Sequence, residues 1–158
     1  MTRREISFLV LGLTAGAIAT ALAQGNGNGN SRPSLLASGV YAWASLPVEK
    51  TANGERRAIF DAATATVDRL ETHITTIETG KASHDAHRHP DEELVFVREG
   101  VVEATINGVP KMAPAGSVIF YASNDLHGMR NAGEGQASYF VLRWTSPGKE
   151  GPKPGGSR

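Results

Sequence analysis

Between residues 39 and 145 the chain is cut into short β-prone runs by turn residues, and this segmentation most limits what it can fold into. Val101 to Ile106 alternates cleanly, with Val102, Ala104 and Ile106 on one face and Glu103 and Thr105 on the other. Asn107-Gly108 follows, a pair that favours a type I′ hairpin turn because both residues tolerate positive φ. Leu94-Val95-Phe96-Val97 reads as a buried strand ending at Glu99-Gly100. Ser117 to Tyr121 and Ala137 to Trp144 are further strands, separated by turns at Pro114-Ala115-Gly116 and Ala132-Gly133-Glu134-Gly135. Earlier, Val40 to Trp43 is a short strand or an arm lying across the domain, Asn53-Gly54 is a tight turn, and Arg56 to Phe60 is a strand. Ala65 to Ile77 is rich in β-branched residues. Its partial alternation puts Leu70, Thr72, Ile74 and Thr76 on one, core-facing side and Glu71, His73 and Thr75 on the other, with His73 at the surface and Ile77 out of phase. Many short strands without a helical pattern indicate an all-β sandwich or barrel in a single domain. A chain of 158 residues is long enough for one such domain.

Within this scaffold one stretch carries chemistry: His87-Arg88-His89-Pro90-Asp91-Glu92-Glu93, with His127 as a distant partner. Residues two apart in an extended chain face the same way, so His87 and His89 share a side. Pro90 bends the path, and Glu93 returns four residues after His89. Three imidazoles and a carboxylate are a candidate metal site, given the neighbouring strand, Gly100 and the remote histidine. Around it, His84 is an outer base or a solvated loop residue. Met129 fills core or faces the cavity, and Phe120, Tyr121, Tyr139, Phe140 and Trp144 are core or mouth-lining aromatics. Asn131 shapes the turn after the last ligand strand.

The ends read differently. Residues 1–23 resemble an export signal, with basic Arg3-Arg4, an apolar Ile6 to Ala21, and small residues in Ala21-Leu22-Ala23 that place cleavage before Gln24. The paired arginines resemble a twin-arginine signal, although Ile6 and Ser7 stand where the fuller pattern has Phe and Leu. A general secretory signal and a retained single-span anchor are the other readings. Residues 24–37 are a flexible Gly/Asn linker, residues 38–145 the barrel, and residues 146–158 a disordered Pro/Gly/Lys tail. The protein is therefore expected to be exported, periplasmic or secreted, with no stable membrane contact once the signal is removed. The absence of cysteine excludes disulfides and thiolate metal sites. With 16 basic and 16 acidic residues, no basic stripe suggests nucleic acid.

The motif spacing resembles that of single-domain cupins. One motif reads Gly80, six residues, His87-Arg88-His89, three residues, Glu93, six residues, Gly100; the other reads Gly108, five residues, Pro114-Ala115-Gly116, then His127, three residues, Asn131. The six-residue gap after Gly80, where the family has five, lies outside the ligands. The resemblance implies a double-stranded β-helix, or jelly-roll barrel, with a metal inside its mouth. It implies His87, His89, Glu93 and His127 as ligands, and a homodimer in which Val40 to Trp43 pairs with a second copy. Such a donor set suits a divalent transition metal: manganese, iron, zinc, nickel or copper. With Glu93 ionised the site stays net positive and favours an anionic or enolisable ligand. Two functions follow. The first is a metalloenzyme of dioxygenase or isomerase type acting on a small oxygenated compound, with Glu93 as ligand and proton acceptor. The second is a non-catalytic module binding metal or a small ligand.

Overall fold

The computed structural model describes residues 35–147. The export signal, most of the linker and most of the tail expected from the sequence lie outside the described residues. Nine strands run in chain order: β1 Val48–Thr51, β2 Gly54–Ala62, β3 Arg69–Ile77, β4 Glu92–Glu99, β5 Val101–Ile106, β6 Val109–Pro114, β7 Val118–Tyr121, β8 His127–Asn131 and β9 Ala137–Thr145. They form a six-stranded sheet, β1-β2-β3-β9-β4-β7, and a three-stranded sheet, β6-β5-β8, with every pairing antiparallel. This is the all-β jelly roll expected from the sequence. No helix of the described residues is long and apolar enough to cross a membrane.

Local chemistry sets the corners. Asn107 and Gly108 have φ of 48° and 84°, so the β5–β6 hairpin closes through the type I′ geometry their sequence favours. Gly100, between β4 and β5, has φ of +78°, and a Cβ there would lie 2.6 Å from the Gln136 carbonyl oxygen. No other residue fits that corner. The first hairpin turns one residue earlier than expected: Thr51 pairs with Gly54, leaving Ala52 and Asn53 as the turn.

The core lies between the sheets: Val95 and Val97 of β4, Val102 and Ala104 of β5, Tyr121 of β7, and Ala137, Tyr139 and Val141 of β9 are all buried. β3 corrects the sequence reading. Its inward residues are Ile77, Thr75, His73 and Glu71, paired in register with Ala137, Tyr139, Val141 and Arg143 of β9. Glu71 and Thr75 are buried and His73 is half-buried, so the polar side of this strand faces the interior. The expected phase is inverted because this part of the barrel holds a polar cavity rather than packed apolar side chains.

Val40 to Trp43 forms no strand. It continues into a single 3₁₀ turn at Trp43–Ser45 and lies on its own barrel. The Leu36 amide donates to the Ala63 carbonyl at 2.8 Å, Tyr41 packs on Phe60 with ring centroids 5.2 Å apart, and the Trp43 ring sits between the guanidinium groups of Arg57 and Arg98 at 4.4 and 4.5 Å. The arm thus holds to the outer face of the six-stranded sheet.

Candidate metal centre

His87 and His127 are brought together by backbone pairing. Each amide donates to the other's carbonyl, at 2.9 and 3.0 Å, forming an isolated antiparallel bridge just before β4 and at the start of β8. His89 follows two residues later on the same side. The donor atoms of His87, His89 and His127 all lie within 4.8 Å of one another. Glu93, on the first turn of β4 into the sheet, is at the edge of this cluster, its Oε2 3.2 Å from His89 Nε2.

The three rings are oriented alike. Nδ1 of His87 faces the Asp85 carbonyl at 3.3 Å, that of His89 the Asp91 carbonyl at 3.0 Å, and that of His127 the Asp125 carbonyl at 2.8 Å. A carbonyl only accepts, so each Nδ1 carries the proton and each neutral ring keeps a lone pair on Nε2. Nε2 of His127 is buried without a hydrogen-bond partner. The Nε2 of His89 points at Glu93 Oε2, 3.2 Å away, so the imidazole and the carboxylate converge on one point where a cation could replace the proton between them. The orphaned Nε2 of His127 and the convergent donor atoms of His87 and His89 fit a shared metal ion, with carbonyl-bound Nδ1 groups orienting the rings. His127 is further fixed by stacking on Tyr121, with centroids 4.2 Å apart and planes at 19°.

Electrostatics agree with ligand-ready protonation states. Burial pushes the His127 imidazole below its ordinary value. Burial does the same to His87, aided by His84 and His127. For Glu93, burial works to raise the carboxyl, but the His89 bond and the nearby His127 and Arg143 outweigh it and hold the group below the usual range. Burial and the Glu93 charge push the unpartnered Tyr121 hydroxyl upward.

A cavity of about 290 Å³ opens beside the cluster, reached by His84, His87, Glu93 and Met129. His84 is exposed and meets His87 edge-on at 4.4 Å, so it stands at the cavity rim. Met129 is buried and lines the cavity. Asn131 is fully buried; its amide donates to the carbonyls of Ile77 and Gly135, and its oxygen accepts from the Gly133 amide, which shapes the turn as expected. Phe120 is half exposed on the outer face, while Tyr121 and Tyr139 are interior.

The opposite wall was missed by the sequence reading. Arg56, Arg69 and Arg143 interleave there with Asp61 and Glu71, backed by the buried Asp91. Arg56 bonds Glu71 at 2.7 Å, Arg143 bonds Asp91 at 2.9 Å, and Arg69 bridges Asp61 and Asp91 at 2.7 and 3.3 Å. The available signal was parity: Arg143 has the phase of the inward Val141 and Tyr139, as Glu71 has that of Ile77.

Residues 73–143 match the family model for the cupin domain. Curated proteins yield no match to the sequence. Solved structures share the fold at low identity. An RmlC-like cupin from Shewanella frigidimarina is 18% identical with a TM-score of 0.56, over 70% of this chain and 95% of that one. A predicted oxalate decarboxylase from Thermotoga maritima is 17% identical with a TM-score of 0.56, over 67% and 98%. The iron(II) form of HppE is 18% identical with a TM-score of 0.54, over 71% of this chain and 64% of that one.

Proposed function

The chain carries a cupin domain, and from that premise we propose that it holds a divalent transition metal through His87, His89, Glu93 and His127 and acts as a metalloenzyme on a small oxygenated or anionic compound. One observation carries the reading: three imidazoles with Nδ1 tied to carbonyls and Nε2 left for a cation, that of His127 buried without any other partner. Manganese, iron, zinc, nickel and copper all accept three imidazoles and a carboxylate. Such an ion would supply Lewis acidity, polarising an oxygen of the bound molecule and lowering the pKa of its hydroxyl group.

The remaining work falls to the chain's own side chains. Tyr139, Val141 and Met129 give the otherwise polar cavity an apolar patch, and Arg56 and Arg143 bring positive charge. Glu93, kept ionised, offers a proton acceptor next to His89. Two fold neighbours support the reading by their names, one an iron(II) protein and the other a predicted oxalate decarboxylase. A second reading, a non-catalytic module, is favoured by one fact: the arginines of the wall are already paired with carboxylates, which suits a ligand held without reaction.

Elemental analysis tests the metal. Protein purified from its native compartment without chelators, beside His87→Ala, should hold near-stoichiometric metal that the variant loses. A folded wild type lacking metal sinks the proposal. We also propose export, on the strength of residues 1–23; recovery of the uncleaved chain from the cytosol would refute it.

A further inference from the structure

The cavity holds a second pair of titratable side chains that the metal cluster does not use. Glu71 and His73 both line it from β3. Glu71 is 4% exposed. Its Oε1 accepts from Arg56 Nη2 at 2.7 Å and meets His73 Nδ1 at 2.7 Å. Burial alone would raise this carboxyl, but the His73 bond and the charges of Arg143 and Arg56 hold it below the ordinary range. An ionised carboxylate only accepts, so His73 Nδ1 carries a proton, and whenever the ring is neutral the lone pair sits on Nε2. A buried carboxylate that fixes an imidazole tautomer is the arrangement a general base needs. His84, by contrast, is exposed and spends Nδ1 on the Asp85 carbonyl.

The sheet register places this pair two strands from Glu93 on the same inner face. Glu71, Arg143 and Glu93 lie side by side on β3, β9 and β4, and His73 lies two residues along, beside Val141. Neighbouring strands are about 4.8 Å apart, so β3 and β4 are separated by roughly 10 Å of backbone spacing. Arg143 stands between them, bonded to Asp91 at 2.9 Å and 3.8 Å from Glu71, and lines the cavity with them. His73, His87 and Glu93 all line the one cavity of about 290 Å³, so a small molecule held there lies among them.

We propose that His73 is a catalytic base, positioned by Glu71, that removes a carbon-bound proton from an enolisable hydroxy-carbonyl compound in this cavity. The inference rests on reading the cavity as an active site. The C–H bond breaks and its electron pair forms the C=C bond of an enolate while the carbonyl π pair moves onto oxygen. The proton goes to His73 Nε2, and the imidazolium is paired with Glu71. Returning it to the same carbon gives exchange. Returning it to the adjacent carbon, with the hydroxyl proton passing to the enolate oxygen, gives isomerisation. Nothing is oxidised or reduced overall.

The full-length protein, loaded with zinc, is incubated with dihydroxyacetone in D₂O, and loss of the CH₂ proton signal is followed by NMR. Wild type should accelerate exchange over buffer, and His73→Gln should lose that acceleration by on the order of 100-fold or more with bound zinc unchanged. Long-range ¹H–¹⁵N spectra of the zinc-loaded wild type should show Nδ1 protonated and Nε2 bare on His73, with that preference weakened in Glu71→Gln. Zinc bound without exchange, exchange indifferent to His73→Gln, or a protonated Nε2 in the neutral ring each overturns the proposal. The tautomer result stands even if a variant does not fold. A wild type that binds no zinc would instead sink the metal reading, and the same exchange assay and spectra on that metal-free protein then test His73 separately: exchange lost in His73→Gln upholds the base, and no exchange overturns it.

Discussion

Asn131→Ala should be among the most damaging single changes outside the metal cluster. The side chain is fully buried and makes three hydrogen bonds to backbone: to Ile77 O at 3.1 Å, to Gly135 O at 2.7 Å, and from Gly133 N at 2.9 Å. Truncation strands the Ile77 carbonyl in a buried position, at about 1–3 kcal/mol. The Gly133 and Gly135 groups lie nearer solvent and lose roughly 0.5–1 kcal/mol each. The total is about 3 kcal/mol, roughly a 100-fold smaller folding constant and a Tm lower by about 10 °C for a domain this size. Urea unfolding followed by near-ultraviolet circular dichroism measures it, and the m-value should not change. The Asn131 backbone also meets the loop leading to the site, through Gly80 N to Asn131 O at 3.1 Å and Asn131 N to Lys81 O at 2.8 Å. Metal affinity should therefore fall too. A loss below about 1 kcal/mol would show that water replaces all three bonds, and the assignment of Asn131 as a buried tie would be wrong.

Other perturbations separate the roles of neighbouring groups. Glu93→Gln should weaken metal binding far more than His84→Ala, because Glu93 is buried against His89 whereas His84 is exposed at the rim; equal effects in a metal titration would undo the ligand set. Glu71 has a folded pKa below its ordinary value of 4.5, so its contribution to stability is complete above that pH and is lost as pH falls through the folded value. Urea midpoints measured from pH 6 to pH 3 should fall less steeply in Glu71→Gln, and identical slopes would show that the carboxylate is not stabilised by its partners. The exposed Phe96, Val118 and Phe120 share the outer face of β4 and β7, which suits a second copy of the chain. Phe120→Glu should shift sedimentation from dimer to monomer, and a monomeric wild type would remove that expectation.

The Asn107-Gly108 turn and the gathering of His87, His89 and His127 were legible in the sequence because each is written in local chemistry. Asn107-Gly108 needs two positive φ values, and His87-x-His89 needs only an extended chain to share a side. β3 was not legible by the same rule. Alternation was read with apolar residues inward, yet Glu71, His73 and Thr75 point in, and Leu70 and Ile74 fall on the side where the arm crosses. Ile77 was the informative residue. It looked out of phase, but it is 1% exposed and marks the inner parity of the strand. Arg143 was hidden for a related reason: a single charge inside the apolar run Ala137 to Trp144 looks like a solvent residue until its parity with Tyr139 and Val141 is noticed.

Those parities explain why one barrel can carry both a dry core and a charged cavity. Across β3, β9 and β4 the inward rows run from Thr75, Tyr139 and Val97, through His73, Val141 and Val95, to Glu71, Arg143 and Glu93. Each strand goes from apolar or neutral to charged toward the same end, and antiparallel register aligns the three gradients. The charged row meets the histidines there and leaves the apolar rows to pack against β5. A slip of one residue in β4 would turn Leu94 and Phe96 inward and expel Glu93, so core and site would be lost together. Gly100 fixes that register at the far end of β4, where only a residue without Cβ clears the Gln136 carbonyl. The glycine of the turn and the carboxylate beside His89 are therefore one structural decision: whatever holds the strand in step to pack Val95 and Val97 also places Glu93 against His89.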